Sequence, residues 1–275
     1  MSGKTLVLKK KHFNDKNEYI GKEDLSDFDG SIAVNESLGV LIFDSIKVSG
    51  SIEFGAGTGI RAGRGISAGT EIRAGREIIA GDGIIAGTEI IAGTEIIAGT
   101  EIIAGRGIIA GWGIRVDNGI IAGWGIRVDN GIIAGNGIIA VDGIRAGREI
   151  IAGRGIRAGT EIKSGRGISA GWGIIAGTGI IAGRGIIAGW GIRAGWGIIA
   201  GDGIRAGLSI VCKKTISAKL RIFAGVCSHK IPSDQESIIE CSSLESGVVS
   251  FGELIETSKQ GDPQHEAVIE KISRN

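Results

Sequence analysis

One residue returns at every sixth place for more than half of this chain. From Ile60 to Ile210 all 26 places six apart hold isoleucine. Cut from Ala56, the chain reads AGTGIR, AGRGIS, AGTEIR, AGREII, and 28 hexads run to residue 223 without insertion or deletion. The last two, CKKTIS and AKLRIF, are degenerate but still place Ile216 and Ile222. A helix advances about 100° per residue, so a six-residue period would scatter the isoleucines around the cylinder. A strand alternates sides instead. In Gly83-Ile84-Ile85-Ala86, Ile84 and Ala86 then point one way, and Gly83 and Ile85 the other. The fifth-place Ile and first-place Ala barely vary and face a core. The sixth place, which exchanges Ile for Arg or Ser, faces out.

Between strands stands Gly-x-Gly or Gly-x-Glu, a bend. Its glycines are expected to supply the positive φ of a sharp corner. The variants VDNG at 116–119 and 128–131 and AVDG at 140–143 bring Asp and Asn, which share that tolerance. One strand and one corner per hexad imply a coiled ribbon, closing after three hexads as a triangular 18-residue coil or after two as a flattened 12-residue coil. The repeat resembles the left-handed hexapeptide β-helix family, with Ala56 at that family's aliphatic place, Gly57 at its glycine and Ile60 at its small residue. Large and small are exchanged, which conserves the volume of a core layer. The resemblance covers 56–223 and implies an all-β, single-stranded β-solenoid, left-handed and triangular, built of 18-residue coils. A second, less specific resemblance runs from Ile216 to Cys227, which looks like uncharacterised AGxGI-repeat proteins of bacteria and mobile elements.

Composition removes other classes. The 51 Gly suggest collagen or disorder, but only 2 Pro are present and the period is not three. Disorder needs few large aliphatics. A net charge of +1 argues against a general nucleic-acid or membrane-surface binder. The apolar stretch Thr5–Leu8 is too short for a signal core, and no apolar run reaches the length of a membrane span. Cys212, Cys227 and Cys241, an odd set without secretory context, read as reduced thiols of a cytoplasmic protein.

An open solenoid end is a bare sheet edge. Residues 1–55 read as an N-terminal cap, with strands around Ser31–Val34, Gly39–Phe43 and Ile46–Phe54. Residues 224–275 read as a C-terminal cap and polar tail, with short strands at Ser237–Cys241 and Val248–Ile255 and a short helix at His265–Ile272.

The hexapeptide family includes many acyltransferases, which use a histidine near a subunit junction and a loop that interrupts the coils. Here His12, His229 and His265 all stand outside the repeat, and nothing interrupts it. The chain is therefore read outside that branch, as no enzyme. The dinucleotide fingerprint at Gly57, Gly59 and Ala62 arises from the repeat itself, with no helix after the strand. Zinc spacings are absent, so neither metal nor cofactor is expected. Asp82, Asp142 and Asp202 sit singly at corners. Glu71, Glu77, Glu89, Glu95 and Glu101 recur at one outward place, as solvated charges beside Arg64, Arg73 and Arg76.

Three surface features remain. Trp112, Trp124, Trp172, Trp190 and Trp196 all occupy the middle of a corner, where they either cover glycine backbone or meet a partner. Trp172 and Trp190, three hexads apart, should stack on consecutive coils. Ile85, Ile103, Ile121 and Ile139 form a flat apolar strip expected to pack a homodimer or higher oligomer. Arg127, Arg145 and Lys163 line another face, as a solubilising stripe or a site for an acidic partner or a phosphate backbone. The expected function is a structural or interaction scaffold, an oligomeric rod docking a protein. Carriage on a mobile element would suit an inhibitor of a host defence complex. An ice- or surface-binding solenoid is the alternative, although Thr sits mainly at corners; an acyltransferase-like enzyme is third.

Overall fold

The structure, a computed structural model, describes residues 4–258. Two compact units divide the chain, Met1–Gly153 and Arg154–Asn275. Each is an all-β, single-stranded parallel β-solenoid of 18-residue coils. The 12-residue coil is excluded by the pairing. In the first unit Ile84–Ala86, Ile90–Ala92 and Ile96–Ala98 follow one another, and Ile102–Ala104 pairs in parallel with the first of them. Ile120–Ala122 and Ile138–Ala140 then continue that ladder. In the second unit Ile156, Ile174, Ile192 and Ile210 stack in the same way.

The core is the inward row that the sequence pattern marks. Every fifth-place Ile from Ile60 to Ile210 is at most 2% exposed, and the first-place residues close the spaces between them. Each buried Ile contributes about 2 kcal/mol. Ser164 and Cys212 replace Ala in this row. The Ser164 hydroxyl donates to the Gly167 carbonyl at 3.0 Å, so no polar group is left unpaired there.

The corners differ from expectation. Among the described residues of the repeat, only Gly57 has φ in the left-handed region, at 77°. The second-place glycines answer a different constraint. A Cβ on Gly99 would fall within 3.0 Å of the Gly81 carbonyl oxygen one coil earlier, and one on Gly87 would meet Gly69 in the same way. The corner is sharp because stacked corners touch backbone to backbone. Asp117 and Asp129 occupy the same place by opening the stack slightly. Their N–H groups reach the carbonyls of Ala98 and Ala110 at 3.4 Å, against 2.9–3.2 Å at glycine corners. Most fourth-place glycines are less confined, although a Cβ on Gly203 would fall within 3.0 Å of the Arg221 carbonyl oxygen. The nearest atom to a Cβ on Gly107 would be the Gly125 oxygen at 3.6 Å.

Strands before the repeat join the same ladders with longer coils. Ile32 pairs with Ile52 and Ile52 with Ile72, each pair more than three hexads apart, and Leu41 pairs with Ile60. Thr58 is buried, its hydroxyl donating to the Glu36 carbonyl at 2.7 Å and accepting the Leu38 N–H at 3.0 Å. The first edge is covered by residues 4–28. Thr5–Val7 pairs with Ser31–Val34, and the run Lys9-Lys10-Lys11 enters a 3₁₀ turn at Lys10–His12. Phe13, Tyr19 and Phe43 form an aromatic cluster with centroids 5.7–5.8 Å apart. In the second unit Thr215–Phe223 runs through a corner unbroken and pairs with Ser243–Phe251, with register shifts. Ile238–Cys241 and Glu253–Glu256 follow Ile210–Cys212 in one ladder. The expected helix at His265–Ile272 lies outside the described residues.

Candidate binding faces

Outward side chains repeat once per coil, so each face of a unit is a column of residues three hexads apart. In the first unit one column is Ser67, Ile85, Ile103, Ile121 and Ile139, in register on adjacent strands. Ile85 is 41% exposed and Ile121 and Ile139 are 45% exposed. Ile103 is half-buried, and Glu101 stands two residues before it on the same side. The same shielding recurs where Glu77, Glu89 and Glu95 precede Ile79, Ile91 and Ile97, each half-buried. Gly83, Gly119 and Gly137 leave the other three isoleucines of the strip bare.

A second column of this unit carries Arg127 and Arg145 in register, beside Ile109. Lys163 belongs to the second unit, paired with Ile181. The expected charges beside the glutamates form ion pairs, Arg73 with Glu71 at 2.7 Å and Arg76 with Glu77 at 3.3 Å. Arg64 pairs instead with Asp44, which raises the pKa of its guanidinium. Such exposed pairs, screened by solvent, add little to stability.

All five tryptophans are exposed at corners, as their place in the hexad requires. Four of them have a flat face against a residue one coil away. Trp172 and Trp190 stack at 5.4 Å with planes 11° apart. Arg154 lies over Trp172 at 5.4 Å, Arg106 over Trp124 at 5.2 Å and Lys214 over Trp196 at 5.4 Å. Trp112 stands between Thr94 and Asn130, joined by 2.8 Å backbone hydrogen bonds. The readable signal for the cation contacts was a Lys or Arg at the corner place three hexads from a Trp, and sequence reasoning missed it. It also missed an uneven charge distribution that the neutral total conceals.

Chemistry-bearing groups are sparse. Among the described residues no three His, Cys, Asp or Glu gather as a metal site. Burial, with Cys241 nearby as a second cause, pushes the Cys212 thiol up to about 11. A shallow groove of about 520 Å³ lies beside Leu220, Phe223 and Val248 in the second unit. No helix is long and apolar enough to cross a membrane among the described residues. Comparison with known families, with characterised proteins and with solved structures found no match.

Proposed function

We propose that this chain is a non-enzymatic interaction scaffold, related to the left-handed hexapeptide β-helices but outside their acyltransferase branch, that self-associates through Ile85, Ile103, Ile121 and Ile139 and presents other faces to a protein partner. One observation carries the reading. Glycine at 83 and 119 leaves isoleucine bare, although the equivalent place on the coil between them accepts a glutamate. A Cβ there would lie a tight 3.4 and 3.3 Å from its nearest neighbours, a contact relieved by a shift of a few tenths of an ångström, as Glu101 shows on the coil between them. The choice of glycine keeps the strip flat and apolar. Four strands at a spacing of about 4.8 Å make a strip roughly 20 Å long, well short of the roughly 800 Å² per partner of a standard interface. The strip is therefore the apolar centre of a contact. The flanking corners, Asp82, Thr100, Asn118 and Asn136 on one side and Thr88, Arg106, Trp124 and Asp142 on the other, supply its polar rim.

The test is sedimentation of the chain against the double variant Ile121→Arg, Ile139→Arg. Arginine already occupies the same place at Arg127 and Arg145, so the coils accept it. The wild type should associate with rising concentration and the variant should stay monomeric. A wild type that remains monomeric at high concentration rejects self-association.

A further inference from the structure

We infer that the face carrying Arg157, Ile175, Arg193 and Val211 docks an acidic amphipathic helix of a protein partner; this rests on the reading of the chain as an interaction scaffold and gives its partner a chemistry. Residues 4–153 hold 16 Lys and Arg against 19 Asp and Glu, whereas residues 154–223 hold 11 against 2, Glu161 and Asp202. The near-neutral whole thus contains a strongly basic stretch.

The second unit gathers part of that charge on one face. Arg157, Ile175, Arg193 and Val211 are successive rungs. Among the described residues Arg157 and Arg193 form no ion pair, and the first carboxylate on the ladder is Glu240, the rung after Val211. Gly155, Gly173 and Gly191 precede the first three rungs, so the floor is low. All three tryptophans of the unit border this sheet, Trp172 and Trp190 at the corner before its strands and Trp196 at the corner after them. Arg154 and Lys214 extend the same two corners.

Two observations select a polypeptide over a nucleic acid. Base stacking favours a tryptophan free on its faces, but Arg154 and Trp190 take both faces of Trp172, and Lys214 lies over one face of Trp196. Ile175, 42% exposed, sits between the two arginines, where a phosphate backbone offers nothing apolar. Trp edges and Arg are the side chains that dominate protein interfaces. The spacing selects the helix. Arg157 and Arg193 stand two rungs apart, about 9.6 Å. Carboxylates seven residues apart on a helix are separated by about 10.5 Å, and a leucine midway falls over Ile175. An extended strand offers same-side carboxylates at about 6.8 or 13.6 Å instead.

The probe is a fluorescein-labelled helical peptide with Glu spaced seven apart and Leu midway, followed by anisotropy against the full chain. It should bind, and Arg157→Ile with Arg193→Ile should weaken it about tenfold or more, equivalent to about 1.4 kcal/mol. Isoleucine is the repeat's own residue at these places, so that variant keeps the coil. Arg127→Ile in the first unit should leave binding unchanged. No binding, equal binding of a scrambled peptide of the same composition, or equal or tighter binding of oligo(dT) would overturn the inference. An Ile85→Arg, Ile103→Arg variant, at places in the strip four and three 18-residue repeats before Arg157 in the sequence, separates the two proposals, because it should also stay monomeric yet bind the peptide as the wild type does. A wild type that binds the peptide but never associates sinks only self-association. One that associates but ignores the peptide sinks only this inference.

Discussion

The indole rings of Trp172 and Trp190 lie 5.4 Å apart, centroid to centroid, with their planes 11° from parallel. Their residues belong to successive coils and are joined by a 3.0 Å hydrogen bond from the Trp190 backbone N–H to the Trp172 carbonyl. Two indoles held so close couple electronically. The chain should show an exciton couplet in its far-ultraviolet circular dichroism, lost in Trp172→Leu and kept in Trp112→Leu. The pair contributes about 0.5–1.5 kcal/mol, toward the lower end because both rings are exposed. A couplet that survives Trp172→Leu would mean the stack is not the source.

Corner glycines should divide into two classes by place in the hexad. Gly99→Ala pushes a Cβ against the Gly81 carbonyl and should cost about 1–3 kcal/mol. Gly107→Ala meets nothing closer than 3.6 Å and should stabilise by about 0.4–1 kcal/mol through the unfolded chain. Urea midpoints measure both. Equal effects of the same sign would show that the carbonyl contact does not govern the corner.

That contrast also marks where sequence reading stops. The spacing from Ile60 to Ile210 placed the inward row correctly, because strand alternation is local chemistry. Once the coil was set at three hexads, the strip from Ile85 to Ile139 and the Trp172–Trp190 stack followed by counting. The reason for Gly99 did not follow, because the atom that excludes its Cβ belongs to Gly81, and only folding brings the two corners together. Residues 4–28 were illegible for a similar reason. Phe13 and Tyr19 carry no hexad register, and their role depends on Phe43, which is reached across the first coil. The basic face of the second unit was hidden by counting charge over the whole chain.

Phe13 should act as a local plug. Buried and packed edge-on against Phe43 at 5.7 Å, it covers the open end of the first coils. Phe13→Ala should cost about 3–5 kcal/mol at that end. Solenoid coils depend on their neighbours, so the loss should remain near the plug. Amide exchange should quicken across 31–54 while the Ile102 and Ile120 strands stay protected. Uniform deprotection of the first unit would show that its coils unfold as one block.

Cys212 should make its coil sensitive to alkali. Its side chain replaces alanine in the inward row, 3% exposed, and its thiol donates to the Thr215 carbonyl at 3.4 Å. Burial raises its pKa from 9.0 to about 11. The unfolded chain loses this proton first, so the stability linked to it is full below pH 9.0 and falls as pH rises toward about 11. Cys212→Ala restores the residue most hexads carry and removes the titrating group, leaving only a small change in packing at neutral pH. Urea midpoints compared at about pH 8 and about pH 10.5 should therefore converge or cross, with the wild type losing more than the variant. The native thiol should also resist alkylation at about pH 8, where almost none of it is thiolate. Parallel losses in both proteins, or rapid labelling of Cys212 in the folded chain, would place that thiol outside the sealed core.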